Sequence, residues 1–212
     1  GFTQTVSMPK AAKYIANNLK AKNVAVLFVN NDFGKPGRDA ATKALETFGV
    51  KVVADISTEA GQLDFAAPVL KAKQSNADAI FVYLNEEESA RALRELKKQG
   101  WTKPIVGDVT LVSQKVIELA GDAANGATGH AELTADAPQA SIKAYKAKFE
   151  KAYNFTPDHN GIKGYMGVYS MKAAIEKVGK LDRKAVAQAM KGLVIKKDKV
   201  PGIIMDVRVD NN

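Results

Sequence analysis

The sequence predicts an α/β protein with one parallel sheet covered by helices on both faces, and three observations support this. Strand-like and helix-like apolar runs alternate four times between Asn23 and Leu133, the rhythm of βαβ units. The strand-like runs are near-continuous in Val, Ile, Leu and Phe, as strands covered on both sides require. Polar loops join each strand to the next helix, and a parallel sheet gathers such loops at one edge.

The strands are expected as NVAVLFV (Asn23 to Val29), VKVVADI (Val50 to Ile56), DAIFVYL (Asp78 to Leu84), PIVGD (Pro104 to Asp108) and GATGHAEL (Gly126 to Leu133). The helices between them span Arg38 to Gly49, Phe65 to Ser75, Ser89 to Gly100 and Ser113 to Gly121. Gly49, Gly100 and Gly121 stand where a helix C-terminus takes a residue tolerant of positive φ.

After Leu133 the rhythm changes. The segment TADAPQAS (Thr134 to Ser141) is small, polar and proline-bearing, which marks a connection. Three helical stretches follow, Gln139 to Tyr153, Asn160 to Val178 and Asp182 to Leu193, with Pro157 breaking the first from the second and Asp182 placed to cap the third. VPGIIMDVRVD (Val200 to Asp210) is short and strand-like. Amphipathic helices must bury their apolar stripe. The faces carrying Ile142, Tyr145, Phe149, Val168, Ile175, Val186 and Met190 are therefore expected to need a cover from elsewhere, including self-association of the chain.

Composition narrows the chemistry. The 212 residues suffice for one large or two small domains. With no cysteine, disulfides, thiolate metal sites and cysteine nucleophiles are excluded. No apolar stretch approaches a membrane span, and no charged-then-apolar N-terminus announces a signal peptide. The formal charge of +8 rests mostly on lysines spread along helices, with one cluster at Lys196, Lys197 and Lys199. Nucleic-acid binders concentrate Arg and Lys with aromatics interleaved, so no nucleic-acid partner is expected. Dinucleotide, P-loop, serine-elbow and zinc-protease motifs are missing; no cofactor, metal or catalytic activity is expected. His130 and His159 are read as structural, the second in a surface turn.

Four stretches, taken in order, carry a family resemblance: NNDFGKPGRDA (Asn30 to Ala40), GQLDFAAPVLKAKQSNADAIFV (Gly61 to Val82), KKQGWTKPIVGD (Lys97 to Asp108) and AGDAANG (Ala120 to Gly126). They resemble type I periplasmic solute-binding proteins, nearest to the leucine/isoleucine/valine-binding branch that serves ABC importers. The likeness runs from Phe2 to about Asp210. It implies a two-lobed clamshell with a three-strand hinge at Phe2 to Val6, His130 to Thr134 and Gly202 to Val207. Residues 1–133 would form lobe two, residues 134–200 the helical C-terminal part of lobe one, and residues 201–212 the third hinge strand and the start of a return to lobe two. The N-terminal half of lobe one would be absent. The implied function is capture of an amino acid or small organic acid in the periplasm for delivery to the membrane subunits of an importer. An effector-binding core of a transcription regulator or sensor receptor is the alternative on the same fold.

Ligands of open parallel sheets approach the carboxyl ends of the strands, which selects three loops. Asn30 to Gly37 offers Asp32 and Phe33; members of the family often place an aromatic near Phe33 over the solute, and the other reading is that Phe33 fills a gap under the next helix. Leu84 to Ser89 offers Asn85 and Glu86, although acids in a first helical turn also simply complement the helix dipole. Asp108 to Val112 offers Asp108, suited to an ammonium or to capping the helix near Ser113, with Val109 at a neighbouring position and Thr110 as the neutral contact. Tyr165 either reaches the site or packs in the core with Tyr169.

Overall fold

The computed structural model describes residues 4–131, 133–200 and 202–211. By backbone contacts the chain divides into residues 1–132 and residues 133–212.

In the first unit, β1 (Asn23–Val29), β2 (Lys51–Thr58), β3 (Ala79–Tyr83), β4 (Ile105–Gly107) and β5 (Ala127–Gly129) form one sheet in the order β2-β1-β3-β4-β5. Every pairing is parallel. All five strands fall within the stretches expected from sequence, apart from the last two residues of β2. The apolar runs of β1 and β3 are buried throughout, save Asn23 at the first position. Edge strand β2 behaves differently: Ala54, Ile56 and Thr58 are buried while Lys51, Val53, Asp55 and Ser57 are exposed. An edge strand covered on one face alternates, so continuous burial does not extend to it.

Alternate residues of the strands feed two cores. Ala25, Leu27, Val29, Ile80, Val82 and Leu84 pack with α3 (Ala66–Gln74), α4 (Glu86–Lys98) and α5 (Gln114–Ala120). Val24, Val26, Phe28, Phe81, Tyr83 and Val106 pack with α2 (Gly34–Thr47) and with α1 (Gln4–Asn17). The result is a three-layer unit. Gly49, at φ 71°, ends the turn after α2.

Helix α1 corrects an expectation. Phe2 to Val6 was expected to be a hinge strand; Phe2 and Thr3 lie outside the described residues, and Gln4 to Val6 already belong to α1. Met8, Ala11, Ala12 and Ile15 recur at helical spacing and are all buried, which is the amphipathic signature. The second expected crossing, His130 to Thr134, also lacks a regular strand among its described residues, since β5 ends at Gly129.

The second unit holds α6 (Ala140–Tyr153), α7 (His159–Val178) and α8 (Arg183–Met190), with a short antiparallel ribbon of β6 (Val194–Ile195) and β7 (Val207–Arg208). Asp158 caps α7 by accepting from the Asn160 and Gly161 N–H groups, and Asp182 caps α8 by accepting from Ala185 N–H. Gly202 to Asp206, expected as hinge strand, forms none; among the described residues of this tail Val207 and Arg208 pair, with β6. His159 is buried at the start of α7, not in a surface turn.

These helices cover much of their own apolar surface. Ile142, Tyr145 and Val186 are buried together with Leu193, Ile195, Ile203 and Ile204, and Phe149, Ile175 and Met190 pack against that group. Of the residues expected to need an outside cover, Val168 stays open, at 70% exposure. The strand-like tail supplies the missing partner: Ile203 and Ile204 turn inward instead of extending away. No helix of the described residues is long and apolar enough to cross a membrane.

Candidate functional site

In the order β2-β1-β3-β4-β5 the chain reverses direction of travel between β1 and β3, and the crevice at such a switch point receives ligands in open parallel sheets. The loops that follow β1, β3 and β4 lie along this one edge because all the strands are parallel. These loops and the first residue of α4 carry every candidate ligand residue named from sequence in the first unit.

The β1 loop is shaped by Asn31. Its Oδ1 accepts from the N–H groups of Phe33 (3.0 Å) and Gly34 (2.8 Å), which turns the chain into α2. Gly34 is required at that place, since a Cβ there would overlap the Val29 carbonyl oxygen. The turn sets Phe33 half-buried and stacked on Tyr83, with ring centroids 4.5 Å apart and planes 19° apart. Phe33 touches both cores of the unit. It thus fills a gap and still presents part of its ring. Asp32 is exposed.

Tyr83, at the end of β3, backs the candidate site through its stack on Phe33 and was not singled out from sequence. It is 3% exposed, its hydroxyl accepts from Gln4 Nε2 (3.0 Å), and its ring lies against Gly37, where a Cβ would collide with it. Burial pushes the phenol up to about 12, and the nearby Asp108 charge adds to the shift. A strand-terminal Tyr in an otherwise apolar run, followed by a polar loop, was the available signal. Asn31 carried another, as Asn two or three residues before a helix start favours such a side-chain turn.

After β3, Asn85 is half-buried with extended backbone, ahead of α4. Its Nδ2 donates to Glu88 Oε1 (3.2 Å), which also accepts from Gly61 N–H (2.6 Å). This ties the β2 loop to the first turn of α4. Glu86 is half-buried and Glu87 exposed; Glu87 pairs with Arg91 at 3.1 Å.

After β4, Asp108 is 5% exposed. Its carboxylate accepts from the Thr110 N–H (3.1 Å) and hydroxyl (3.0 Å). It does not cap α5: Ser113 does, accepting from Val116 N–H. Thr110 thus donates both its N–H and its hydroxyl to Asp108. Val109 is half-buried. Tyr165 belongs to the second unit, where it packs with Tyr145 (centroids 4.8 Å) and Tyr169 (4.9 Å), the core reading.

The whole edge therefore sets an aromatic wall beside amide and carboxylate groups at a switch point, the mixture that small-molecule sites use. A family model described as periplasmic binding protein matches residues 1–211. The chain belongs to that family. Its relatives include a leucine-, isoleucine-, valine-, threonine- and alanine-binding protein of Pseudomonas aeruginosa, 30% identical over 189 residues that cover 86% of this chain and 49% of the relative. A Leu/Ile/Val-binding protein homolog of Brucella melitensis is 31% identical over 183 residues, 84% of this chain and 48% of the relative. The chain spans about half the length of the curated relatives it matches. Among solved structures, a solute-binding protein of an ABC transporter from R. palustris in complex with 4-hydroxybenzoate aligns over all of this chain and 58% of its own, with TM-score 0.87 and 22% identity. A leucine-binding protein from Thermotoga maritima aligns over 90% of this chain and 55% of its own, with TM-score 0.81 and 24% identity. These likenesses establish the fold of a type I periplasmic binding protein for this family member.

Proposed function

We propose that this periplasmic binding protein chain takes part in capturing an amino acid or small organic acid in the periplasm, for delivery to the membrane subunits of an ABC importer. The observation that carries the reading is the Phe33–Tyr83 stack set beside Asn85 and the buried Asp108 at the switch point. An aromatic face suits an apolar solute body, and a buried carboxylate suits a cationic or hydroxylic group. The curated relatives are named for leucine, isoleucine and valine, one of them also for threonine and alanine, and one structural neighbour holds an aromatic acid, so both classes belong in the test. Those names favour a solute-binding protein over the effector core of a regulator, and over an enzyme. The ligand residues in this reading are Asp32, Phe33, Asn85, Glu86, Asp108 and Thr110, the last acting through Asp108.

The test is calorimetric titration of the chain with L-leucine, L-isoleucine, benzoate and 4-hydroxybenzoate. For whichever binds, Phe33→Ala is expected to weaken affinity by about 1–3 kcal/mol through the lost aromatic contact. Unchanged affinity would remove Phe33 from the site. Self-association of the chain belongs to the same reading, supported by Val168, Met171 and Leu181, which are exposed on α7 and just after it. Light scattering is expected to show species larger than a monomer. A monomer at all concentrations would dismiss it.

A further inference from the structure

Asn85 occupies the position before α4 at which an Asn ordinarily turns its Oδ1 onto the free N–H groups of the first turn. It makes no such bond. Its amide is instead engaged through the other end, Nδ2, by Glu88 Oε1 at 3.2 Å. Glu88 is 4% exposed and is held in place by the Gly61 N–H at 2.6 Å. Burial pushes its carboxyl up, but the Gly61 and Glu88 N–H groups, the Asn85 amide and the Arg91 charge outweigh this and leave it below the usual carboxylate range.

An ionised carboxylate accepts hydrogen bonds and donates none. The end of Asn85 facing Glu88 is therefore fixed as the NH₂, and the opposite end as the carbonyl oxygen. Asn85 is half-buried, and its Oδ1 takes no hydrogen bond from any described residue. The polar atom left over beside the switch point is an acceptor.

We infer that Glu88 is a positioning residue that locks the Asn85 amide with Oδ1 free, so that the solute group received at the end of β3 is an N–H or O–H donor, such as an ammonium or hydroxyl, and not a carboxylate. The inference rests on Asn85 being a ligand residue, as in the reading above. Glu88 touches no solute. It acts by excluding the flipped amide, which would offer N–H to the site and turn NH-accepting chemistry into its opposite.

Two probe pairs isolate the donor. L-isoleucine and 3-methylpentanoate differ by the ammonium, and 4-hydroxybenzoate and benzoate by the hydroxyl. Titrations of the 212-residue chain, followed by NMR up to millimolar probe, are expected to show about a tenfold or greater preference for the donor-bearing member of at least one pair, because an acceptor left unpaired in a half-buried site is penalised. Glu88→Gln keeps an acceptor oxygen on the Gly61 N–H and is expected to keep the preference. Glu88→Met removes the acceptor and is expected to lower the preference at least about threefold relative to the wild type, the two amide orientations now being nearly equivalent while the Asp108 carboxylate keeps its own share. Thermal melts establish that each variant is folded. In the absence of any probe, the Asn85 side-chain NH₂ resonances are expected to move in Glu88→Met and to stay in place in Glu88→Gln.

A merely structural Glu88 would weaken both members of a pair alike and leave their ratio untouched, which overturns the inference. So does wild-type protein with no donor preference in either pair, or an Asn85 NH₂ signal unmoved by Glu88→Met. The underlying site reading fails separately: it falls if no probe binds, or if Asn85→Ala binds every probe as the wild type does.

Discussion

Gly34→Ala is expected to destabilise the first unit by about 3 kcal/mol, at the upper end of what overpacking costs. The cause is not an unusual backbone angle. Gly34 opens α2 directly beneath the end of β1, and a Cβ there would overlap the Val29 carbonyl oxygen and carbon and crowd its side chain. Two of those three obstacles are backbone atoms of Val29, buried at the end of a central strand, which cannot rotate away as the tip of a flexible side chain could. Relief requires lifting the first turn of α2 off the sheet. That would disturb the Asn31 bonds to Phe33 and Gly34, so the aromatic wall is expected to loosen along with the fold. Gly49→Ala is the control. Gly49 has φ 71° with nothing near a built Cβ, so the substitution meets only backbone preference, on the order of 1 kcal/mol. Urea unfolding of the two variants separates the cases. Equal and small losses would mean that α2 can shift freely, and the close-approach argument would fall.

The sheet was legible in sequence because β1 and β3 are covered on both faces, and continuous apolar runs are what such burial selects. The positions of the site loops followed from the parallel sheet. Other features were hidden for identifiable reasons. Helix α1 was obscured because the resemblance placed a hinge strand over Phe2 to Val6, although Met8, Ala11, Ala12 and Ile15 show helical period. The tail from Val200 reads as a strand from its branched residues, yet Ile203 and Ile204 serve as core of the second unit. Tertiary demand for apolar cover overrode local β preference there. At the site, residue types were visible while their partnerships were not. Asp108 stood out as a candidate, but its bonds to Thr110 depend on loop geometry. Glu88 read as one more acid in a first turn, and its burial against Gly61, 27 residues away in sequence, belongs to the fold. Tyr83 read as one more strand residue.

Tyr83→Ala is expected to cost about 3–5 kcal/mol, the range for emptying a buried aromatic position, whereas Tyr83→Phe should cost about 1 kcal/mol, one hydrogen bond. The ring is 3% exposed and is bounded by Phe33 at 4.5 Å, Phe81 at 6.2 Å and the Cβ-free surface of Gly37. Among the described residues its hydroxyl makes one bond, accepted from Gln4 of α1. Ring and hydroxyl therefore have separable roles: the ring backs the Phe33 wall, and the hydroxyl ties the start of α1 to the sheet edge. The phenol provides a second readout. With its folded value raised from 10.0 to about 12, its share of stability is full below pH 10 and is lost as pH rises toward 12. Tyr83→Phe should reduce that alkaline loss without reaching the damage of Tyr83→Ala at neutral pH. A double-mutant cycle between Tyr83→Ala and Phe33→Ala then isolates the stack, with an expected coupling of about 0.5–1.5 kcal/mol. Zero coupling would show that Phe33 stands without Tyr83. If Tyr83→Phe were instead as damaging as Tyr83→Ala, the Gln4 bond would be the dominant restraint, and the wall at the switch point would be held from α1 rather than from β3.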